Sequence, residues 1–109
     1  MTDGYLYLAG RKGDMIIRGG ENLYPLEIER VMAGHPAVAD VAVTAVPDRR
    51  LGEVPLAVVV PADPAAPPDT GELRAFARER LAGFKVPAQW RFAEALPRNA
   101  AGKVLRRLL

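Results

Sequence analysis

Residues 97–109, PRNAAGKVLRRLL, place Lys103 directly after a glycine in a run of small residues. An ammonium group at the tip of such a loop can bridge two oxygens and stabilise negative charge that develops during a reaction. Most lysines are simply solvated, so the local sequence by itself favours an exposed lysine without a catalytic role. Whether Lys103 is a candidate catalytic residue therefore depends on the other motifs in the chain.

A second candidate stretch is residues 10–29, GRKGDMIIRGGENLYPLEIE. Gly19 and Gly20 can adopt positive φ or let another molecule approach the backbone closely. Ordinary turn glycines explain the pair at least as well on spacing alone. A phosphate-binding loop is the poorer interpretation, because the stretch has neither a GxGxxG nor a GK[ST] pattern.

Composition narrows the classes of function. The chain has 109 residues, enough for one domain with a modest core, and 15 Lys and Arg against 13 Asp and Glu. Basic residues are interleaved with acidic ones, which disfavours a nucleic-acid interface. There is no cysteine for a thiol nucleophile, and the one histidine, His35, cannot build a metal site by itself. Neither a spanning helix nor a signal peptide is indicated, so we expect a cytoplasmic protein.

Hydrophobic patterns predict the elements that position the two candidate stretches. The predicted strands are the runs rich in aromatic and β-branched residues: residues 5–9, 14–18, 38–46, 55–60 and 89–94. The first two are expected to form an N-terminal β-hairpin. The next two form the centre of an antiparallel sheet, with a turn at Pro47 and Asp48.

Helix signals occur at three places. Pro25 suits the first position of a helix, and Asp69 with Glu72 has the spacing of a capping box. A last short helix is predicted to hold Val104 and Leu108. The predicted fold class is α+β: a small antiparallel-rich sheet packed with helices and preceded by an N-terminal β-hairpin.

Two strings, YLYLAGRKGDMIIRGGENLYPLEIE and LPRNAAGKVLRRLL, resemble in order and separation the signature motifs in the C-terminal domain of adenylate-forming enzymes. This superfamily includes acyl-CoA synthetases, peptide-synthetase adenylation domains and luciferases. The resemblance covers essentially the whole chain, and GGEN followed by PLEIE is most similar to fatty-acid and aryl-acid CoA ligases. It implies a reaction in which an acid and ATP give an acyl-adenylate and pyrophosphate, after which the CoA thiol releases AMP.

The resemblance also implies roles for single residues. Lys103 would be the adenylation lysine, and Gly19 and Gly20 would line the tunnel for the pantetheine arm of CoA. Arg11 resembles an arginine that contacts the ribose hydroxyls of the nucleotide. Lys85 is a weaker candidate for contact with the CoA phosphates, since a solvated lysine explains it nearly as well.

The hinge position departs from the superfamily pattern. Relatives carry Asp or Lys there, whereas this chain has Gly13. Glycine absorbs φ and ψ changes readily, so the hinge could stay at this position and be looser. The pivot could instead shift to Lys12 or Asp14.

A longer enzyme is implied as well. Residues 1–109 would be the single, mobile C-terminal domain of an acyl-CoA synthetase, without the large N-terminal domain that holds most of the acid site, ATP and Mg²⁺. Its partners would be that domain, a carboxylic acid, ATP and CoA, and the isolated domain would be inactive. Because Lys103 and the glycine pair are far apart in sequence, the domain is expected to rotate between steps.

Two other interpretations stay open. One is a stand-alone binding module that keeps the fold and catalyses nothing. The other is the C-terminal domain of another adenylate-forming enzyme that acts on a carrier-protein thiol. The identity of the acid is not encoded in these residues, so fatty, aromatic and short-chain acids all remain possible.

Overall fold

The computed structural model describes residues 15–109. Its regular elements are β1 (Ile16–Arg18), β2 (Glu21–Leu23), α1 (Pro25–Met32), β3 (Val38–Asp48), β4 (Gly52–Pro61), α2 (Thr70–Arg80) and β5 (Gln89–Phe92). A 3₁₀ turn at Gly83–Lys85 lies between α2 and β5, and another, at Arg106–Leu108, follows β5. Arg11, Gly13 and the strand predicted for residues 5–9 lie outside the described residues.

The long hairpin of β3 and β4 forms the centre of the sheet. Its two strands pair antiparallel from Val38 opposite Pro61 to Asp48 opposite Gly52. The strand order is β2-β1-β4-β3, so β3 is an edge strand, and β5 pairs in parallel with β4. Together with its helices this sheet confirms the predicted α+β class, in which antiparallel pairing predominates.

Both faces of the central hairpin are covered. Successive side chains on a strand point to opposite faces, so Val43 and Val59 pack under the two helices while Ala42 and Val58 face the other way. The helices contribute Ile28, Met32, Leu73 and Ala77 to the first core. The second face is covered by the C-terminal segment, through Leu96, Val104 and Leu109. The last residues of the chain are thus part of the fold.

The described N-terminal hairpin joins β1 to β2 around Gly19 and Gly20. The strand predicted for residues 14–18 is present as Ile16–Arg18, and its described hairpin partner is Glu21–Leu23. The physical reason is the glycine pair, because both residues have positive φ and so close a tight two-residue turn. The predicted partner strand falls outside the described residues.

The helix starts follow the predicted signals, and two boundaries differ. Pro25 opens α1, and the Asp69 carboxylate accepts a hydrogen bond of 3.2 Å from the Glu72 N–H at the start of α2. The β3–β4 turn comes at residues 49–51 instead of Pro47, because an edge strand tolerates a proline. Val104 lies in a β-bridge to Arg98 rather than in a final helix, of which only Arg106–Leu108 remains.

None of the helices in residues 15–109 has the length and apolar character needed to cross a lipid bilayer.

Candidate functional site

Lys103 stands at the end of a tight turn that its own neighbours hold in shape. Arg98 and Val104 form the β-bridge that closes the turn. The Asn99 N–H donates to the Lys103 carbonyl over 3.0 Å, and the Asn99 side-chain oxygen accepts from the Lys103 N–H, also over 3.0 Å. Gly102 completes the reversal with φ +85°. The backbone of Lys103 is therefore held on both sides while its side chain is exposed.

Arg98 joins this turn to the sheet. Its Nη1 donates to the Gly102 carbonyl over 2.7 Å, and its Nη2 lies 2.7 Å from Asp40 Oδ2 on β3. Sequence reasoning missed both residues, because they are 58 positions apart and nothing local to either indicates the other.

Arg106 fastens the chain on the other side of Lys103. Its Nη2 lies 2.7 Å from Glu29 Oε2 on α1, and its Nε donates to the Val43 carbonyl over 3.0 Å. The same Glu29 oxygen accepts a 2.8 Å hydrogen bond from the Val43 N–H. The two side chains keep only 17% and 14% of their surface exposed, so the pair is largely shielded from water. This pairing too was missed, since it joins residues 77 positions apart.

Gly19 and Gly20 form the turn between β1 and β2, with φ of +56° and +87°. The Gly19 N–H donates to the Leu51 carbonyl over 2.8 Å, which ties the turn to the loop between β3 and β4. A Cβ at Gly19 would lie 3.0 Å from Leu51 Cδ2, whereas one at Gly20 would meet no atom of the other described residues within 4 Å. The predicted positive φ is confirmed, and the open space at Gly20 makes its backbone accessible.

Asp48 holds the loop against which the Gly19 turn rests. Its Oδ1 accepts hydrogen bonds of 2.9 Å from the Leu51 and Arg50 N–H groups. These bonds, of which that from Leu51 has the larger effect, lower the pKa of the Asp48 carboxyl, and the nearby charges of Arg50 and Arg18 lower it further. Asp48 is therefore a charged turn-former at neutral pH.

Lys85 is not simply solvated. Its Nζ lies 2.9 Å and 3.1 Å from the two carboxylate oxygens of Glu27 on α1. A phosphate would have to compete with this carboxylate, so contact with CoA remains a prediction for Lys85.

The Lys103 turn and the Gly19–Gly20 turn lie at opposite ends of the β3–β4 hairpin. The first is tied to Asp40 near the start of β3, and the second to Leu51 just beyond its end. Asp40 and Asp48 are eight positions apart on one strand, which at about 3.3 Å per residue separates the two ends by about 26 Å. The structure does not bring the two predicted sites together.

Groups that could hold a metal ion, meaning three or more His, Cys, Asp or Glu side chains, are not found within residues 15–109. The described polar groups suit an anion instead, because the Lys103 ammonium is exposed on a firmly held turn.

Residues 27–103 match the AMP-binding enzyme C-terminal domain family. The matched segment contains most of α1, the β3–β4 hairpin, α2 and β5, and it ends on Lys103. The chain belongs to this family. The predicted resemblance of the chain to the C-terminal domain of adenylate-forming enzymes is thereby confirmed.

Relatives of this AMP-binding C-terminal domain are longer proteins. The chain is 52% identical over 107 residues to a 2-succinylbenzoate–CoA ligase of Geobacillus kaustophilus, covering 98% of the chain and 22% of that ligase. It is 47% identical to a fatty acid–acyl-carrier-protein ligase of Streptomyces coeruleorubidus, covering 98% and 20%. It also matches the structure of the o-succinylbenzoate–CoA synthetase of Bacillus subtilis bound to its acyl-adenylate intermediate, at 45% identity and a TM-score of 0.84, over 89% of the chain and 19% of that structure. The chain thus spans about a fifth of the length of these relatives.

Proposed function

We propose that this chain is the C-terminal domain of an AMP-forming acid–thiol ligase, which converts a carboxylic acid and ATP to an acyl-adenylate and then to an acyl-CoA thioester. The observation that carries the proposal is the exposed Lys103, held at a fixed position in a chain of the AMP-binding family. The ligase names of the similar proteins support the reaction class.

Lys103 would act in the adenylation step. As the carboxylate attacks the α-phosphate of ATP, negative charge accumulates on the oxygens around phosphorus. A positioned ammonium stabilises this charge most strongly when its backbone need not rearrange, and the two Asn99 hydrogen bonds meet that condition for the Lys103 backbone. The proton count is unchanged, since Lys103 supplies charge and hydrogen bonds only.

Gly19 and Gly20 would act in the thioester step. The pantetheine arm of CoA is narrow and must pass close to backbone to reach the acyl-adenylate. The free space beside Gly20 supports such an approach, because within residues 15–109 no atom outside its two chain neighbours lies within 4 Å of where its Cβ would be. Lys85 remains a weaker candidate for a CoA phosphate contact.

Rotation of the domain follows from the geometry if both turns serve one active centre. Two turns that are anchored at points about 26 Å apart on a firmly packed hairpin cannot both reach the same centre at one time. The domain would therefore present Lys103 first and the Gly19–Gly20 turn afterwards. Gly13 is the proposed hinge and Arg11 the proposed ribose contact, both outside the described residues.

The acid, ATP and Mg²⁺ would be bound mainly by a large N-terminal domain of the same protein. Residues 15–109 offer a cation suited to phosphate, without a cluster of carboxylates for Mg²⁺. That larger domain is the proposed principal partner.

Measuring the two half-reactions in the full-length ligase with Lys103→Ala tests the proposal. We expect acyl-adenylate formation to fall by about 100- to 1000-fold, because a preorganised charge-stabilising donor is lost. Thioester formation from a pre-made acyl-adenylate and CoA should be retained. Arg107→Ala is the matched control, because it removes another exposed positive charge from the same segment. If both half-reactions of Lys103→Ala match those of the control, the chain is better explained as a non-catalytic binding module.

A second candidate function differs from the first only in the thiol that accepts the acyl group. The relative from Streptomyces coeruleorubidus is named for an acyl-carrier protein, whose phosphopantetheine arm has the same thiol end as CoA. Offering a pre-made acyl-adenylate to CoA and to a phosphopantetheinylated carrier protein in parallel distinguishes the two. Preferential transfer to the carrier protein would favour this second candidate.

A further inference from the structure

Arg98 joins the turn that carries Lys103 directly to β3, and we propose that Arg98 and Asp40 are positioning residues for Lys103. We call the pair the Arg98–Asp40 clamp. The inference rests on the proposed role of Lys103 in adenylation and adds the part of the fold that directs this side chain towards the nucleotide.

The two ends of the Arg98 guanidinium have different partners. Nη1 donates to the Gly102 carbonyl over 2.7 Å, and Nη2 reaches Asp40 Oδ2 over 2.7 Å. Because the guanidinium is planar and rigid, these two short charge-assisted bonds fix the Gly102 carbonyl relative to β3. That carbonyl belongs to the peptide bond that leads into Lys103, so its orientation sets where the Lys103 side chain begins.

Asp40 is itself held in place. Its Oδ1 accepts a 2.9 Å hydrogen bond from the Val41 N–H, which leaves Oδ2 for Arg98. A β-bulge between Val38 and Asp40 shifts the register immediately before it, and bulges commonly re-aim the side chain that follows. The next two residues, Val41 and Ala42, are 7% and 0% exposed. The clamp thus connects an exposed turn to a part of the sheet that cannot move independently.

Folding stability is a poor explanation for the clamp. Its side chains are 41% and 38% exposed, and ion pairs with this much exposure contribute little to stability. The turn is already closed by the Asn99 hydrogen bonds and the bridge to Val104. What the clamp adds is the orientation of the turn relative to β3, a property that matters if Lys103 must meet a reacting group.

The test compares Arg98→Ala, Asp40→Ala and the double variant in the full-length ligase. We expect kcat for acyl-adenylate formation to fall by about 10- to 100-fold, since misplacing a catalytic group by about 1 Å can cost that much. KM for ATP and for the acid should change little, and thioester formation from a pre-made acyl-adenylate should be retained. The double variant should be no slower than the slower single one, because both remove the same connection.

Arg98→Lys provides a conservative variant. A single ammonium cannot span the Gly102 carbonyl and the Asp40 carboxylate as the planar fork does, so we expect an adenylation rate between those of the wild type and Arg98→Ala. Glu79→Ala is the control, because it breaks an even more exposed ion pair, with Arg80 at 3.1 Å, away from the Lys103 turn. It should leave both half-reactions unchanged.

Two results would overturn the positioning role. One is an Arg98→Ala adenylation rate equal to that of Glu79→Ala, and the other is an equal loss of both half-reactions together with a lower Tm. Lys103→Ala, measured alongside, separates this inference from the proposed function. If Lys103→Ala adenylates normally, the proposed function fails and the clamp has nothing to position. If Lys103→Ala is defective while Arg98→Ala is normal, the positioning role alone fails.

Discussion

Gly19 and Gly20 share one turn but differ in what surrounds them. Both have positive φ, a conformation that costs other residues about 1–2 kcal/mol. A methyl group at Gly19 would also press on Leu51, while at Gly20 it would enter open space. Within residues 15–109 the need for glycine at Gly20 is therefore conformational, and these residues leave room for another molecule to approach it.

Replacing Gly20 by alanine tests that approach. We expect Gly20→Ala to slow thioester formation from a pre-made acyl-adenylate by about 10- to 100-fold, since the added methyl displaces the incoming thiol arm. Adenylation should be unaffected. The comparison is with Gly52→Ala, where φ is also +87° and the backbone strain is matched. Equal thioester rates for the two variants would contradict the tunnel role.

Single residues were predictable from sequence where the signal is local. The positive φ of the glycine pair and the Asp69 cap of α2 follow from residue types within a few positions of each other. The Glu27 partner of Lys85 does not, because the two lie 58 positions apart and only the packing of α1 against its neighbours brings them together. Most side-chain contacts around the candidate site likewise join residues that are far apart in the sequence.

Among the elements, the edge strand β3 depends most on contacts from elsewhere in the chain. The Val43 N–H and carbonyl point away from β4. The N–H donates to the Glu29 carboxylate, and the carbonyl accepts from Arg106 Nε. An edge strand with unpaired backbone groups is a template for pairing with other chains, and charged groups at the edge prevent this. The hydrophobic alternation that predicts β3 contains no information about which side chains cover its edge.

The turn between β3 and β4 should show a specific pH dependence. Because the folded pKa of Asp48 is depressed, its contribution to stability is fully present above the ordinary carboxyl pKa of about 4 and is lost as pH falls through the lower folded value. Asp48→Asn removes the titrating group, so this pH-dependent part should disappear. The Tm difference between wild type and Asp48→Asn should be larger at pH 7 than at about pH 3. A difference independent of pH would show that the Asp48 charge does not stabilise the turn.

At the scale of the whole molecule, one small domain carries two turns that face different ends. The pairing of β3 with β4 could be inferred from periodicity, since both read clearly as strands. The parallel placement of β5 beside β4 could not, because a four-residue strand carries no signal for its partner. The separation of the two turns became visible only when the register of the central hairpin was known.

The separation of the Lys103 turn from the Gly19–Gly20 turn, and the short span of the chain relative to the similar ligases, lead to a prediction for the isolated chain. Incubated with acid, ATP and CoA, the pure 109-residue chain should form no acyl-CoA, because the proposed acid pocket and most nucleotide contacts belong to the larger domain. Chromatographic detection of the thioester provides the measurement, with a protein-free reaction as the blank. Thioester above that blank would show that the chain contains a complete active centre.

The pairing of Glu29 with Arg106 limits how this domain can be recombined with its homologues. The two residues lie 77 positions apart, so almost any crossover inside the domain would take one from each parent. A parent without the matching residue would leave a largely shielded charge unpaired and part of the β3 edge uncovered. Chimeric ligases should therefore exchange the segment from α1 to the C-terminus as one block.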